Sequence, residues 1–336
     1  MRSTIQGISL TRRLLCALCI AAALIGNAVT PLARGTQTEE IVVVGKRPGP
    51  PLWKVEAGDN TLWIFGVIER LPKSFVWDSE SVDYMISQSA EYLAPPSGGL
   101  TAVTLNPIKI FRYTRQYKKA RRLPDKGTLD QLLPSPLFGR LNSSLDEFLP
   151  GEKNVLKLKP VFAADALYKA ALKDHGLVGP REITKALSKM AKTHGVPVIE
   201  VGVKETAEVA QVLEDWSSIP IEQGVACLAS TLDTLEEQVA RVSERAQVWA
   251  DGDAASLASA KFPAPPTSCR DALMGNEQTR RVYDAAREAW LSAAERALAS
   301  NTTTFAVLAL SDVIEADGLL SLLRKRGYKT TGPMRL

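Results

Sequence analysis

The side chains best suited to catalysis or metal binding are scarce in this chain. Its 336 residues include two histidines, His175 and His194, and four cysteines. Imidazole and thiolate are the usual nitrogen and sulfur ligands of zinc, and histidine is a common general acid or base near neutral pH. Both histidines lie at the predicted end of a helix, just before a glycine, where imidazole interacts with the last carbonyl groups and the helix dipole. The sequence therefore predicts structural roles for both.

The N-terminus has the composition of a secretory signal peptide. Three arginines precede an uncharged apolar run over residues 14–25, and small residues follow it up to Ala28. The run is shorter than the roughly 20 residues of a spanning helix, although an uncleaved anchor is the alternative. Both the general secretory and the twin-arginine export routes stay open. We expect residues 1–28 to be removed, with cleavage near Ala28, and the mature protein to be periplasmic or secreted.

Cleavage changes what the charge and the cysteines imply. The formal net charge falls from +4 to +1 when the three arginines leave, and this gives no support for nucleic-acid binding. Cys16 and Cys19 also leave, so the mature chain keeps Cys227 and Cys269. A small, even number of cysteines in an oxidising compartment favours a disulfide. Two buried free thiols are the alternative, and a catalytic thiol is favoured less.

A basic segment over residues 106–122 is the candidate for ligand contact. It is predicted to be helical, and Ile108, Phe111 and Tyr117 interleave with its cations, which indicates a basic face over an apolar one. Such a run is usually a solvated helix face. The alternative is contact with an envelope protein, an anionic lipid or a polysaccharide. The face that would make this contact comprises Arg112, Arg115, Lys118, Lys119 and Arg122.

We expect an α/β (α+β) fold in which many helices surround a central mixed β-sheet, with a helix-rich middle. Two strand-like runs at residues 52–55 and 61–65 predict a hairpin. Residues 305–310 are an unbroken apolar run, typical of a strand buried on both faces. Helices dominate residues 128–172, and the apolar spacing from 220 to 250 predicts one long helix.

Two segments resemble the TraB/GumN family. Residues 62–69, which read LWIFGVIE, are similar to the family's opening strand with its Gly-Thr-Ile-His ending. Residues 305–328 are similar to its C-terminal strand, Gly-x-x-His, Asp-Gly-Leu helix and Arg-Gly-Tyr ending. Three further matches lie between them in the expected order: Lys159-Pro160, the turn at residues 195–198 and the segment at residues 249–253. The resemblance implies one domain over residues 51–333, and the polar, Gly/Pro-rich composition of residues 29–50 predicts a flexible linker before it.

The resemblance also implies a fold shared with Tiki-type proteases and erythromycin-esterase-like proteins, and a metal-dependent site. That site has two Gly-x-x-His histidines at strand ends, a carboxylate and an Arg-Asn pair. In this chain the histidine positions are Glu69 and Asp312. The family's glutamate falls on residues 94–95, and its arginine falls on Ala286, next to Arg287. Every expected site position has therefore changed its chemical type.

Two functional hypotheses follow from these changes. Carboxylates in place of both imidazoles leave only oxygen ligands, which could bind Mg²⁺, Ca²⁺ or Mn²⁺ weakly. The two carboxyl groups could instead share a proton as an acid/base pair. We expect a catalytically degenerate envelope protein that acts by binding, without a metal or other cofactor. The alternative is a peptidase-like hydrolase with a rebuilt site at Glu69 and Asp312, with Arg287 as a third candidate and a divalent metal as an option.

Overall fold

The described part of the chain begins just before the predicted domain. A computed structural model describes residues 49–102, 107–207, 209–237, 241–258, 268–269, 272 and 277–334. The predicted signal peptide lies outside these residues, and so does the predicted linker except for its last two residues.

The predicted hairpin is confirmed at the start of the central sheet. Strand β1 (Leu52–Ala57) pairs antiparallel with β2 (Asn60–Val67). Gly58, in the turn between them, has a φ of +58°, a left-handed conformation that glycine adopts without a steric penalty. The apolar side chains of β2 are buried from Ile64 onward. The C-terminal half of this strand therefore lies in the core of the protein.

Six strands form the central sheet, and it is mixed as predicted. Its remaining strands are β4 (Glu91–Leu93), β7 (Val198–Ile199), β9 (Thr303–Ala309) and β10 (Lys329–Met334). The order is β10-β1-β2-β9-β4-β7, and β2, β9, β4 and β7 are parallel while β1 is antiparallel to both of its neighbours. The predicted buried strand is confirmed over residues 305–308, with Ala309 partly buried, whereas Leu310 is the first residue of the helix that follows. Parallel strands share a carboxyl edge, so the residues that follow β2, β9 and β4 lie along one side of the sheet.

Helices and two small sheets surround the central sheet, joined by turns and connecting segments. The small sheets pair β3 (Leu71–Pro72) with β6 (Leu177–Val178), and β5 (Ser97–Ala102) with β8 (Gly202–Ala207). Short 3-10 helices cover Pro124–Lys126 and Lys153–Lys157. The α-helices are α1 (Glu80–Ser87), α2 (Pro107–Ala120), α3 (Leu129–Leu132), α4 (Ser135–Phe148), α5 (Pro160–Asp174), α6 (Pro180–Thr193), α7 (Val209–Ser218), α8 (Ile221–Glu237), α9 (Val242–Ala250), α10 (Ala254–Leu257), α11 (Glu277–Ser300), α12 (Leu310–Ile314) and α13 (Leu319–Lys325). None of the described helices is long and apolar enough to cross a bilayer.

Most of the buried apolar residues fall into two clusters. One surrounds the central sheet, and its largest side chains include Phe65, Tyr92 and Trp290. The other lies among α3, α4, α5 and α8, where Leu167 and Leu228 are fully buried. The helix-rich middle of the chain therefore has an apolar core of its own, separate from the core of the sheet.

The prediction of one long helix over residues 220–250 is wrong. Helix α8 ends at Glu237 and α9 begins at Val242, with residues 238–240 outside the described part. The apolar spacing continues through both helices, but Leu228 and Leu232 belong to the helical cluster while Trp249 belongs to the sheet cluster. The spacing of apolar residues predicts that they are buried, but it does not predict which of the two clusters each residue packs into.

Candidate functional site

Glu69 follows β2 at the carboxyl edge of the sheet and pairs with an arginine. Its Oε2 atom lies 3.1 Å from an Nη atom of Arg245 on α9, and the two side chains are 28% and 15% exposed. Helix α9 is held here because Trp249, one turn further on, is fully buried and donates its indole N–H to the Gly66 carbonyl at 2.8 Å. Helix α9, which covers the end of β2, therefore also places the Arg245 guanidinium beside Glu69.

Gly66 permits the close packing beside Glu69. A Cβ at this position would lie 2.9 Å from the ring of Trp53 and 3.0 Å from the side chain of Leu310. Leu310 is the first residue of α12, which directly follows β9. The absence of a side chain at Gly66 thus allows β1 and α12 to converge on the end of β2.

Asp312 lies in α12, after β9, and it also pairs with an arginine. It accepts a short hydrogen bond from Arg287 of α11, and the two side chains are 16% and 17% exposed. Arg287 also donates to the Asp317 carbonyl at 2.7 Å, and its guanidinium lies 5.6 Å from the ring centroid of Tyr283. Burial acts to lower the pKa of Arg287, but the charge of Asp312 and a contribution from Tyr283 outweigh it, so that pKa is raised.

The sheet brings Glu69 and Asp312 to one edge. Val67 and Ala309 are direct neighbours across β2 and β9, and the two acids follow these residues in their own segments. The other family positions contribute no polar side chain. Ala94 follows β4, where its carbonyl accepts a hydrogen bond from the Trp290 indole at 3.1 Å, and Ala286 is buried. It is Arg287, the neighbour of the aligned position, that reaches the site.

A third arginine lies beside Glu69. Arg70 donates to the Glu69 carbonyl at 2.7 Å, and its guanidinium lies 5.5 Å from the ring centroid of Tyr168. None of the carboxylates in the described residues forms an ion pair with Arg70. The Nε atoms of Arg70 and Arg245 and the Oε2 atom of Glu69 are buried without a hydrogen-bond partner, although Oε2 keeps its ion pair. Three guanidinium groups therefore accompany two carboxylates.

This donor set does not fit the metal site that the resemblance implies. Within the described residues, no group of three or more His, Cys, Asp or Glu side chains could hold a metal ion. Both strand-end carboxylates already face a guanidinium group, whose charge opposes an approaching cation and whose N–H groups compete for the oxygen lone pairs. The arrangement is suited to charge pairing and not to Lewis-acid chemistry.

Both histidines lie at helix ends, as predicted. His175 is the C-cap residue of α5, and His194 is the C-cap residue of α6. The His175 ring centroid lies 5.7 Å from that of Phe148, and Nε2 of His194 lies 3.0 Å from a carboxylate oxygen of Asp83 on α1. Each therefore joins neighbouring elements.

The predicted disulfide is confirmed. Cys227 on α8 is bonded to Cys269, with their Cα atoms 4.5 Å apart. Cys227 is buried beside the leucines of the helical cluster. The bond closes a segment that contains α9 and α10, and it anchors this segment to the helical core.

The predicted basic helix exists, but its faces are arranged differently. Arg112, Arg115, Lys118 and Lys119 of α2 are exposed, and so is Arg122 just beyond it. The prediction of a basic face over an apolar one is wrong for Ile108 and Phe111, which lie on the same side of the helix as the cations and are 79% and 74% exposed. The side of α2 that packs inward includes Ala120, which is buried.

The fold and the strand-end residues define the class of protein. It is an α/β protein whose candidate site lies beyond the carboxyl ends of adjacent parallel strands. The model of the TraB/PrgY/gumN family matches residues 51–332, and the chain belongs to that family. No curated protein and no solved structure shows significant similarity to it.

Proposed function

We propose that this chain is an exported envelope protein of the TraB/PrgY/gumN family that is catalytically degenerate and acts by binding. The observation that carries the proposal is the pairing of both strand-end acids with arginines, Glu69 with Arg245 and Asp312 with Arg287. An acid held in such a pair is a poor ligand for a metal ion.

Two further features support export. The first 28 residues have the composition of a signal peptide. The Cys227–Cys269 disulfide is of the kind that persists in the periplasm or outside the cell and is rare in the cytosol. A mature chain that starts near Val29 would keep the whole segment that matches the family.

Metal analysis of the purified mature protein tests the loss of the metal site. We expect substoichiometric zinc, cobalt and manganese, and a melting temperature that a chelator does not change, because no described side chains form a ligand set. A stoichiometric metal that a chelator removes, with a lower melting temperature, would contradict the proposal. Glu69→Gln and Asp312→Asn would then show whether that metal is held at the strand ends.

A peptidase-like hydrolase with a carboxylate site is the second candidate. The observation in its favour is that Glu69 and Asp312 follow adjacent parallel strands, so both acids lie at one edge of the sheet. Peptide hydrolysis by the purified protein would support it if Glu69→Gln and Asp312→Asn each abolish the activity. Asp130→Asn, on the exposed surface of α3, is the matched control. We expect no hydrolysis that depends on either strand-end acid.

A further inference from the structure

Helix α2 presents large apolar and cationic side chains on the same exposed side. At about 100° per residue, six positions fall within an arc of about 120°. These are Ile108, Phe111, Arg112, Arg115, Lys118 and Lys119, all exposed. Ile108 and Phe111 stand at the N-terminal end of this arc, and the two lysines stand at its C-terminal end.

The opposite side of α2 fixes the helix to the protein. Ala120 is buried, and Tyr113 and Gln116 are partly buried on that side. At the C-terminal end of α2, the guanidinium of Arg121 lies 5.1 Å from the ring centroid of Tyr117 and 5.2 Å from that of Phe162 on α5. The exposed arc is therefore held outward by contacts on the reverse side, without burying its own apolar residues.

The charge of α2 is entirely positive. Its 14 residues include five cations and no acid. Helix α6 is a useful comparison, because it also carries Lys185, Lys189 and Lys192 at its surface but includes Glu182 and exposes no large apolar side chain. The combination of exposed apolar residues with unbalanced positive charge thus distinguishes α2 from an ordinary solvated basic helix.

We propose that α2 is a contact surface for a lipid bilayer that contains anionic phospholipids. Clusters of lysine and arginine are attracted to anionic headgroups, and exposed aromatic and aliphatic side chains gain free energy when they enter the boundary between headgroups and acyl chains. Ile108 and Phe111 make this second contribution, and they favour a bilayer over an acidic polysaccharide, which offers no apolar phase. The inference does not depend on the chemistry of the strand-end site.

Vesicle flotation of the full mature protein tests this surface. The probes are vesicles of phosphatidylglycerol with phosphatidylcholine, and vesicles of phosphatidylcholine alone. We expect binding to the anionic vesicles that weakens as salt is raised. Substituting Arg115, Lys118 and Lys119 together by glutamine should weaken binding by on the order of 100-fold. The matched control replaces Lys185, Lys189 and Lys192 of α6 by glutamine, which removes the same charge and should have a far smaller effect.

The apolar residues give the decisive comparison. Changing Ile108 and Phe111 to serine should weaken vesicle binding by about tenfold or more, with unchanged circular dichroism, since both side chains are already exposed. Three results would overturn the proposal: no binding to anionic vesicles, an equal loss from the α6 control, or full vesicle binding by the serine variant. If that serine variant also bound alginate as well as the unmodified protein does, the surface would be a polysaccharide site.

Discussion

At the residue scale, the strand ends carry two acids, and each acid forms an ion pair with an arginine. Glu69 and Asp312 occupy the places where the family resemblance expects imidazoles, and each carries a guanidinium partner from a helix that covers the sheet edge. Both pairs are largely removed from solvent, where an unpaired charge would be costly. The arginines therefore balance the charge of the acids at these positions.

A double-mutant cycle measures the coupling free energy between Glu69 and Arg245. Arg245→Gln and Glu69→Gln should each lower the free energy of unfolding by about 1–3 kcal/mol, and the double variant should lose less than their sum, because each single change leaves a partly buried charge alone. The expected coupling from urea unfolding is about 1–2 kcal/mol. Lys169 and Asp165 form a more exposed pair and serve as the control, with coupling of about 0.5 kcal/mol or less. Equal coupling in the two cycles would contradict this assignment.

Gly318 controls the position of Asp312. A Cβ at Gly318 would overlap the backbone of Asp312, so Gly318→Ala should lower the free energy of unfolding by about 1–3 kcal/mol or more. Gly139 of α4 has open space where a Cβ would lie, and Gly139→Ala should stabilise by about 0.5–1 kcal/mol. Thermal or urea unfolding of both variants tests the pair. A neutral Gly318→Ala would show that the segment before α13 is free to move.

Sequence reasoning found the acids but not all of their partners. Glu69 and Asp312 could be predicted because each follows an apolar strand segment and aligns with a family position. Arg287 could also be predicted, because it is adjacent in sequence to Ala286, which aligns with a family position. Arg245 had no such signal, because it is far from Glu69 in the chain and the packing of Trp249 on Gly66 brings the two together.

At the element scale, the helix-rich middle is stabilised by its own apolar core and by a covalent bond. Cys227 lies on α8, and the segment that leads to Cys269 includes α9, which belongs to the sheet cluster. The disulfide therefore closes a segment whose residues contribute to both the sheet cluster and the helical cluster. This division also explains why one continuous apolar spacing gave two helices.

Removal of the disulfide should be strongly destabilising. The bond spans 42 residues, and a loop of that length corresponds to about 4 kcal/mol in the chain-entropy description. Cys227→Ala with Cys269→Ala should therefore lower the free energy of unfolding by about that amount. A reducing agent should destabilise the unmodified protein in urea unfolding and leave the double variant unchanged. Equal stability of the unmodified protein with and without reductant would contradict the prediction.

At the scale of the whole molecule, the mixed α/β fold could be predicted and the strand order could not. The apolar runs of β2 and β9 and the helical spacings were sufficient for the fold class. The order of strands depends on pairings between residues far apart in the chain, such as β2 with β9. The sheet of β5 and β8 was missed because the Ser-Gly-Gly start of β5 lacks the alternation of a strand. The single-domain boundaries and the cleavage site stay predictions.

The central claim is that charge pairing has replaced metal binding at the strand ends. Calorimetric titration of the purified, metal-free mature protein with Zn²⁺, and separately with Mn²⁺, tests it most directly. We predict no binding tighter than about 1 mM at the strand ends, because both carboxylates are held by arginines. One equivalent bound at micromolar concentration or tighter, and lost in both Glu69→Gln and Asp312→Asn, would contradict the account.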